Sequence, residues 1–313
     1  MTVPAAAPQR AAIDRAGSWV DRGFRLQAAV LYLFLYVPIG LVVLFSFNAG
    51  DRTGELRGLS LRWYQRALED PFAMGALQNS LIVGAWTALI ATTFGTLAAL
   101  ALQRTSRSVR AVFDAITYVA IIIPGIVIGI ATLIFFVNAF GWLNPQLAAV
   151  WSAAGLGAPP TIGTGLHTII AAHALFTMAI VSVLVRARLA GMDRSLTEAS
   201  FDLFASPFRT FVQVTLPQLR PAIITGALLA FTFSFDDYVI ASFVAGPGKP
   251  TLPMYVFSSI RRGITPEINA IASMVLTVTV TMLIVVGLIY RRSSRITAAQ
   301  RAAEGADAEV TAP

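Results

Sequence analysis

The stretch "DRSLTEASFDLFASPFRTFVQVTLPQLRPAI", residues 193–223, lies between two long apolar runs and carries the start signals of its own short helices. Ser195 and Glu198 have the spacing of a capping box, which predicts a helix start. Ser206 followed by Pro207 predicts a second start, with serine as the N-cap and proline at the first helical position. We therefore expect two short helices joined by a turn.

We call this loop, residues 193–221, the elbow. Apolar residues recur at helical spacing in its second half, and two prolines are expected to close it before the next apolar run. These positions are Phe208, Phe211, Val212 and Leu216, followed by Pro217 and Pro221. Exposed apolar residues on such a unit predict that it docks onto a partner, because a stranded apolar patch in water is a liability.

The composition places the elbow in a membrane protein. Hydrophobic residues make up 56% of the 313 residues and charged residues 12%, whereas soluble domains carry about 25% charged residues. Six apolar runs are each near or above the about 20 residues that a helix needs to cross a lipid bilayer. They cover residues 27–47, 79–102, 112–137, 166–185, 222–245 and 269–290. The predicted fold class is an all-α integral membrane protein with six transmembrane helices.

Lysine and arginine residues concentrate in alternate segments between these runs, and the elbow belongs to the richer set. Basic loops face the cytoplasm, so both termini and the elbow are expected on that side. The predicted organisation is a cytoplasmic N-terminal tail over residues 1–26, a six-helix domain over 27–290 and a cytoplasmic C-terminal tail over 291–313. Both tails are expected to be frayed. The net charge of +7 follows this topology, so no nucleic-acid partner is expected.

Several kinds of site are disfavoured by the sequence. It has no cysteine, and His167 and His173 are six residues apart, which does not place them on one helix face, so we expect no metal site and no cofactor. Ordinary hydrogen-bonded histidines are the simpler interpretation. No phosphate-binding loop is present, since "GPGKP" at residues 246–250 lacks the upstream glycine and has proline after its lysine.

The third apolar run contains "IIIPGIVIGIA", residues 121–131. Pro124 removes a backbone donor and predicts a kink, while Gly125 and Gly129 have the spacing that lets another helix approach closely. Such breaks also occur where a helix lines a transport path. Close packing and path lining both remain open.

Two segments are expected on the outer side of the membrane. Trp63 and Tyr64 predict a short interfacial helix ahead of the second run. The uncharged segment 138–165 is expected to be a loop, held at the outer interface by Trp142 and Trp151.

The fifth run contains two adjacent carboxylates, Asp236 and Asp237, within "FTFSFDDYVIASF", residues 231–243. An aspartate at a helix centre in a membrane costs about 2.5–3.5 kcal/mol, so such residues usually face a partner or a wet path. Counting from Pro221 places Asp236 past the midplane and away from any helix end. Neighbours in a helix point about 100° apart, so one carboxylate is free to face a path while the other braces a neighbouring helix.

The elbow sequence "EASFDLFASPFRTFVQVTLP" resembles the EAA motif of the permeases of ABC-transporter importers. The matching positions are Glu198, Ala199, Ser200 in place of the motif's second alanine, Val214, Leu216 and Pro217. Phe204 stands where the family usually has glycine, and a bulky residue adopts the positive φ of such a turn only at a cost. The resemblance implies that these seven positions couple the chain to an ATPase. For Glu198, capping of its own helix through Ser195 remains open as its sole role. For Phe204, a differently built turn and a side chain that fills a pocket on the partner both remain open.

Residues 228–276 resemble the second permease subunit of the spermidine/putrescine importers, with "SFDDYVI" and "AGPGKPTLPMY" as the most specific parts. The resemblance implies a transport subunit of the bacterial inner membrane that is not itself an enzyme. The implied partners are a second permease subunit, two ATP-binding subunits that hydrolyse ATP, a periplasmic substrate-binding protein and a polyamine substrate.

For a polycationic substrate the resemblance makes Asp236, Asp237, Tyr238 and Ser234 candidates for the substrate pathway. A carboxylate would offset the desolvation of an ammonium group, and Tyr238 would add a cation–π face. Ser234, and Thr232 one turn before Asp236, are expected to donate local hydrogen bonds to the carboxylates. A purely structural role for the pair remains open.

Alternative functions are an importer permease for another small organic solute, or a proton-coupled carrier or cation channel in which the aspartates relay protons or select ions. A self-sufficient carrier has no need of a docking elbow, so the sequence favours the importer.

Overall fold

The computed structural model describes residues 8–281, except residues 53, 194 and 264, and also residue 284. It divides into two compact units. One is Asp70–Arg261, and the other combines the residues up to Glu69 with those from Arg262 onward.

The described residues are mostly helical. The helices are α1 Pro8–Ser46, α2 Arg62–Glu69, α3 Pro71–Leu102, α4 Arg107–Ile122, α5 Gly125–Ala153, α6 Leu166–Ala190, α7 Ser195–Asp202, α8 Pro207–Thr210, α9 Leu216–Asp236, α10 Val239–Val244, α11 Leu252–Arg262 and α12 Pro266–Thr281. A π-helical turn, Phe211–Thr215, joins α8 to α9 in one continuous helix.

The helical membrane class predicted from the sequence is confirmed. In the part of the chain that the structure describes, five helices are long and apolar enough to cross a membrane: Arg22–Ser46, Pro71–Leu102, Gly125–Ala153, Leu166–Ala190 and Pro207–Asp236. The sixth apolar run is covered by α12 as far as Thr281, and most of its remainder, with the C-terminal tail, lies outside the described residues. The first helix begins at Pro8, so the segment expected to be a frayed N-terminal tail is helical from that residue.

In the unit that contains α1 and α2, the short helix predicted ahead of the second run is present as α2. Its Trp63 is buried and donates its indole N–H to the carbonyl of Asn48 at 2.9 Å. The Asn48 side chain in turn holds the intervening loop, because its amide donates to the carbonyls of Arg52 and Glu55 at 2.8 Å each. Trp63 therefore serves packing.

The core of the unit Asp70–Arg261 is formed by α3, α6 and α9. Helix α3 contributes small residues and α6 branched ones, which lets the helix axes approach closely in the manner of membrane helices. The buried residues of this cluster are Ala91, Ala99, Val181, Val185, Leu189, Leu219 and Ala230.

The prediction of an outer loop over residues 138–165 was wrong in its first half, because α5 continues to Ala153. The segment is apolar enough to extend a membrane helix, and Pro145 is accommodated inside it. The loop begins only after Ala153. It is tied back to the helix by Asn144, whose side chain donates to the carbonyl of Ile162 at 3.0 Å and accepts its N–H at 2.8 Å.

The third apolar run is broken as predicted. Helix α4 ends at Ile122, Ile123 is extended, and α5 begins after Pro124, which has no N–H to continue the ladder. On the N-terminal side of the break, Asp114 of α4 forms an ion pair with Arg186 of α6. This pair fastens the first half of the span to the core.

The second half of the span packs on α10, and Gly129 makes the approach possible. A Cβ atom at Gly129 would lie 2.7 Å from Cδ2 of Phe243, whereas one at Gly125 would lie 3.8 Å from Cγ1 of Ile240. Close packing is therefore the role that the structure shows for Gly129.

We expect Gly129→Ala to destabilise the protein by about 1–3 kcal/mol, because the Phe243 ring must move out of a packed contact. Thermal unfolding of the purified protein in detergent measures the change. Gly125→Ala is the matched control and should be close to neutral. Adding Phe243→Leu to Gly129→Ala should recover part of the loss, and equal stability of both alanine variants would contradict the assignment.

Candidate functional site

The fifth span is broken at its two aspartates. Helix α9 ends at Asp236, Asp237 is extended with φ −71° and ψ 125°, and α10 begins at Val239. The prediction that Asp236 lies away from a helix end was therefore wrong. The physical reason is that the Asp237 carboxylate accepts the N–H of Ala241 at 2.9 Å, so the side chain replaces a backbone carbonyl at the start of α10.

Asp237 is also held by the neighbouring helix α6. Its Oδ2 lies 3.1 Å from Nε2 of His173, and Nδ1 of the same imidazole lies 2.8 Å from the hydroxyl of Ser234. His173 and Ser234 are buried, with 2% and 3% of their surfaces exposed. One histidine therefore connects residues on both sides of the end of α9.

The local hydroxyl donors predicted for the two carboxylates are not used in that way. Ser234 contacts His173, and Thr232 donates to the carbonyl of Leu228 at 2.8 Å. Both hydroxyls find partners of their own in the folded chain, which intervals along the sequence did not indicate. Ser234 thus supports the break from inside the protein.

Asp236 differs from Asp237 in its exposure and its contacts. It is exposed, and within the described part of the chain it forms no hydrogen bond or ion pair. An exposed carboxylate next to a helix break, inside a membrane-spanning region, is available to a cation.

An aromatic pair lies beside the carboxylates. The Tyr238 ring stacks on that of Phe257 from α11, with centroids 4.1 Å apart and planes 13° from parallel. Phe257 was not identified from the sequence, because it is 19 residues further along the chain and only the fold brings it near Tyr238. Tyr238 is half-buried and Phe257 about half-exposed, so the pair offers an accessible π surface.

The segment after α10 is fastened to the core helices. The hydroxyl of Thr168 donates to the carbonyl of Val244 at 2.6 Å, and the amide of Asn79 donates to that of Pro250 at 2.9 Å. Further along, the Tyr255 hydroxyl donates to the Asp70 carboxylate at 2.6 Å. These bonds hold "AGPGKPTLPMY" against α3 and α6.

The elbow consists of two helices, as predicted, but its first start differs from the capping box. The acceptor at the start of α7 is Asp193, which receives the N–H of Ser195 at 2.9 Å. Hydrogen bonds from the backbone and then the side chain of Ser195 lower the pKa of Asp193 below its ordinary value. The second start is as predicted, with Ser206 as N-cap and Pro207 at the first helical position.

The turn of the elbow adopts the geometry for which the family usually has glycine. Phe204 has a φ of +59°, its N–H donates to the carbonyl of Phe201 at 2.9 Å, and that of Ala205 donates to Ser200 at 3.0 Å. This is the Schellman arrangement that ends a helix. The turn is therefore conventional, and phenylalanine adopts a left-handed conformation within it.

The prolines do not close the elbow, contrary to the prediction. The helix continues from Pro207 to Asp236, so Pro217 and Pro221 lie inside it. The π turn lets the N–H of Leu216 reach the carbonyl of Phe211, five residues back, just before Pro217 interrupts the donors. The elbow is thus continuous with the span that ends at the aspartates.

Three apolar side chains at the turn face solvent, and we call Leu203, Phe204 and Phe208 the elbow tip. They are 82%, 97% and 77% exposed. Behind them, the hydroxyls of Ser200 and Thr210 lie 2.6 Å apart and join α7 to α8. The other predicted coupling residues are distributed as follows: Glu198, Ala199 and Pro217 are exposed, and Val214 and Leu216 are half-buried.

Comparisons with known proteins agree on one family. Residues 91–297 match the family described as binding-protein-dependent transport system inner membrane component. The chain is 41% identical over 249 residues to the putrescine transport system permease protein PotI of Escherichia coli (strain K12), covering 78% of this chain and 82% of the relative. It is 31% identical over 265 residues to the spermidine/putrescine transport system permease protein PotC of the same strain, covering 85% and 92%. The resemblance to the spermidine/putrescine permeases is confirmed.

A solved structure supports the fold. A bacterial ABC transporter involved in the import of the acidic polysaccharide alginate contains a chain that superposes with a TM-score of 0.66. The match covers 88% of this chain and 96% of that one at 16% sequence identity, which indicates a shared fold. Among the described residues, five helices are long and apolar enough to cross a membrane, and the chain is a multi-pass member of the family of binding-protein-dependent transport system inner membrane components.

Proposed function

We propose that this chain is a permease subunit of an ATP-driven importer of polyamines, with putrescine and spermidine as its substrate class. The substrate class is supported by its relatives, a putrescine permease at 41% identity and a spermidine/putrescine permease at 31% identity, each matched over most of both chains. The chain's own contribution is passage and coupling, since it has no phosphate-binding loop.

The observation that carries the substrate assignment is the exposed carboxylate of Asp236 beside the Tyr238–Phe257 pair. A polyamine is an aliphatic chain with ammonium groups, so it requires negative charge and accepts aromatic faces. Asp237 is already compensated by His173 and Ala241, which leaves Asp236 to meet the ammonium group. A single carboxylate keeps the site weak, as release to the next site demands.

Coupling is assigned to the elbow. The elbow tip exposes three large apolar side chains on a turn that hydrogen bonds hold in place, which is the form of a docking surface. We assign an ATP-binding subunit as its occupant. Because the helix that starts at Pro207 ends at Asp236, displacement of the elbow would be transmitted along one helix to the aspartates.

The proposed complex contains, besides this chain, a second permease subunit, two ATP-binding subunits and a periplasmic substrate-binding protein. Both termini of this chain would lie in the cytoplasm. The bias of basic residues toward alternate loops supports this orientation.

The test is ATP hydrolysis by the complex reconstituted in proteoliposomes with its binding protein, with and without putrescine or spermidine. Stimulation that requires both the binding protein and the polyamine supports the proposal. Stimulation only by another solute keeps the importer and overturns the substrate class. If the rate of ATP hydrolysis does not depend on the binding protein, the proposal of a binding-protein-dependent importer is wrong.

We expect Asp236→Asn to lower polyamine uptake per assembled complex by about tenfold, the effect of losing one charge-assisted contact of about 1.4 kcal/mol in the transport path. ATP-dependent uptake of radiolabelled putrescine by proteoliposomes, in the presence of the binding protein, measures it. The control is Glu69→Gln, which removes another exposed carboxylate at the end of α2, outside the elbow. Equal uptake by the Asp236 variant and the unmodified protein would contradict a pathway role.

A further inference from the structure

His173 has no assigned role, and its two ring nitrogens contact different sides of the end of α9. Nδ1 lies 2.8 Å from the hydroxyl of Ser234, and Nε2 lies 3.1 Å from the carboxylate of Asp237. Its backbone carbonyl accepts the hydroxyl of Thr177 at 2.7 Å. With 2% of its surface exposed, the imidazole is out of reach of a substrate in this conformation.

The bonding partners fix which nitrogen carries the proton. An ionised carboxylate only accepts, so Nε2 must donate its N–H to Asp237. In a neutral imidazole Nδ1 is then the acceptor, and the hydroxyl of Ser234 donates to it. Both ring nitrogens of His173 therefore have a partner, which stabilises a buried imidazole.

This network decides which aspartate is engaged. Oδ2 of Asp237 receives the imidazole N–H and the N–H of Ala241, so the carboxylate is drawn toward α6 and serves as the cap of α10. Asp237 itself is extended, and α9 ends at the preceding residue, Asp236. Asp236 is left at the last helical position with its carboxylate exposed.

We propose that His173 is a positioning residue: by holding Asp237 as the cap of α10, it fixes the helix break and thereby presents Asp236 to the cation path. The inference rests on the proposed function, because the path is the one assigned to polyamines there. The two adjacent carboxylates then have different roles: Asp237 holds the helix break in place, and Asp236 contacts the substrate.

Two amide substitutions separate this role from simple core packing. The amide nitrogen of glutamine reaches the place of Nε2, and that of asparagine the place of Nδ1. His173→Gln can therefore still donate to Asp237, while His173→Asn reaches only Ser234. If His173 only fills space in the core, both variants should reduce the amount of folded complex. Uptake per assembled complex should then be the same in the glutamine and the asparagine variant.

We expect His173→Gln to retain most polyamine uptake per assembled complex and His173→Asn to lose about tenfold, the effect of one hydrogen bond to a charged group. Assembly is quantified by gel filtration of the complex. His167→Gln, an exposed position on the same helix, is the matched control and should match the unmodified protein. Equal uptake per complex in the glutamine and asparagine variants overturns the inference.

A second readout does not depend on the substrate. The chain has no cysteine, so Asp236→Cys introduces its only thiol, and its reaction rate with a cationic methanethiosulfonate reports exposure of this position. We expect rapid labelling in the otherwise unmodified chain and with His173→Gln, and slower labelling with His173→Asn. An unchanged rate with His173→Asn overturns the positioning role. If polyamines fail to stimulate the complex while labelling follows the predicted order, the substrate proposal fails and the positioning role stands.

Discussion

Replacing Phe204 with asparagine is expected to leave the fold intact and to reduce ATP-driven uptake at least thirtyfold. The side chain is 97% exposed and contributes almost nothing to packing within the chain. Asparagine tolerates a left-handed conformation better than phenylalanine, so the turn at φ +59° should become slightly more stable. What is lost is the apolar anchor for the proposed ATP-binding subunit, and a buried anchor of this kind is worth about 2 kcal/mol or more.

The measurement combines thermal unfolding of the isolated chain with ATP-dependent uptake and co-purification of the ATP-binding subunit. Phe72→Asn is the matched control, since it removes another phenylalanine that is 77% exposed, at the start of α3. Phe204→Gly introduces the residue usual in the family. It separates the backbone strain of the turn from the apolar contact with the partner, because glycine adopts a positive φ without strain and has no side chain to bind. Full coupling in both Phe204 variants would mean that the elbow docks without this side chain.

Gly246→Ala is expected to have the largest effect on stability, with a loss of about 3 kcal/mol or more. A Cβ atom at this position would lie 2.1 Å from the carbonyl oxygen of Thr164 and 2.9 Å from Cα of Gly165. These are backbone atoms, so no side-chain rotation relieves the clash. The bonds of Thr168 to Val244 and of Asn79 to Pro250 prevent the segment from moving away as a whole.

The change in the denaturation midpoint of the purified chain tests this prediction, and uptake should fall with it because the displaced segment directly follows α10. Gly163→Ala is the control, since a Cβ atom there meets no other atom within 4 Å. An unfolding midpoint for Gly246→Ala that equals that of Gly163→Ala would show that the two backbones do not approach this closely in solution.

The membrane class, most of the spans and the elbow could be predicted from the sequence because they depend on local properties. Apolar runs of sufficient length must cross the bilayer as helices. Ser206 followed by Pro207 starts a helix because the serine caps it and the proline has the φ of the first helical position. The errors arose where a distant or competing contact decided. Helix α5 contains Pro145 in its interior, although a loop was predicted there. The helix that starts at Pro207 likewise continues past Pro217, because the π turn changes the hydrogen-bond pattern just before that proline.

The candidate site shows the same division. The sequence by itself determined that two aspartates lie in an apolar span and that the second helix of the elbow starts at Ser206 and Pro207, because these are properties of residues and intervals. The resemblance to the importer permeases marked Phe204 as the position where the family usually has glycine. Only the tertiary structure decided that Asp237 caps α10 while Asp236 remains exposed, and that Phe257 stacks on Tyr238. The physical reason is that His173 lies 64 residues from Asp237 along the chain, and the packing of α6 against α9 brings its imidazole to the carboxylate.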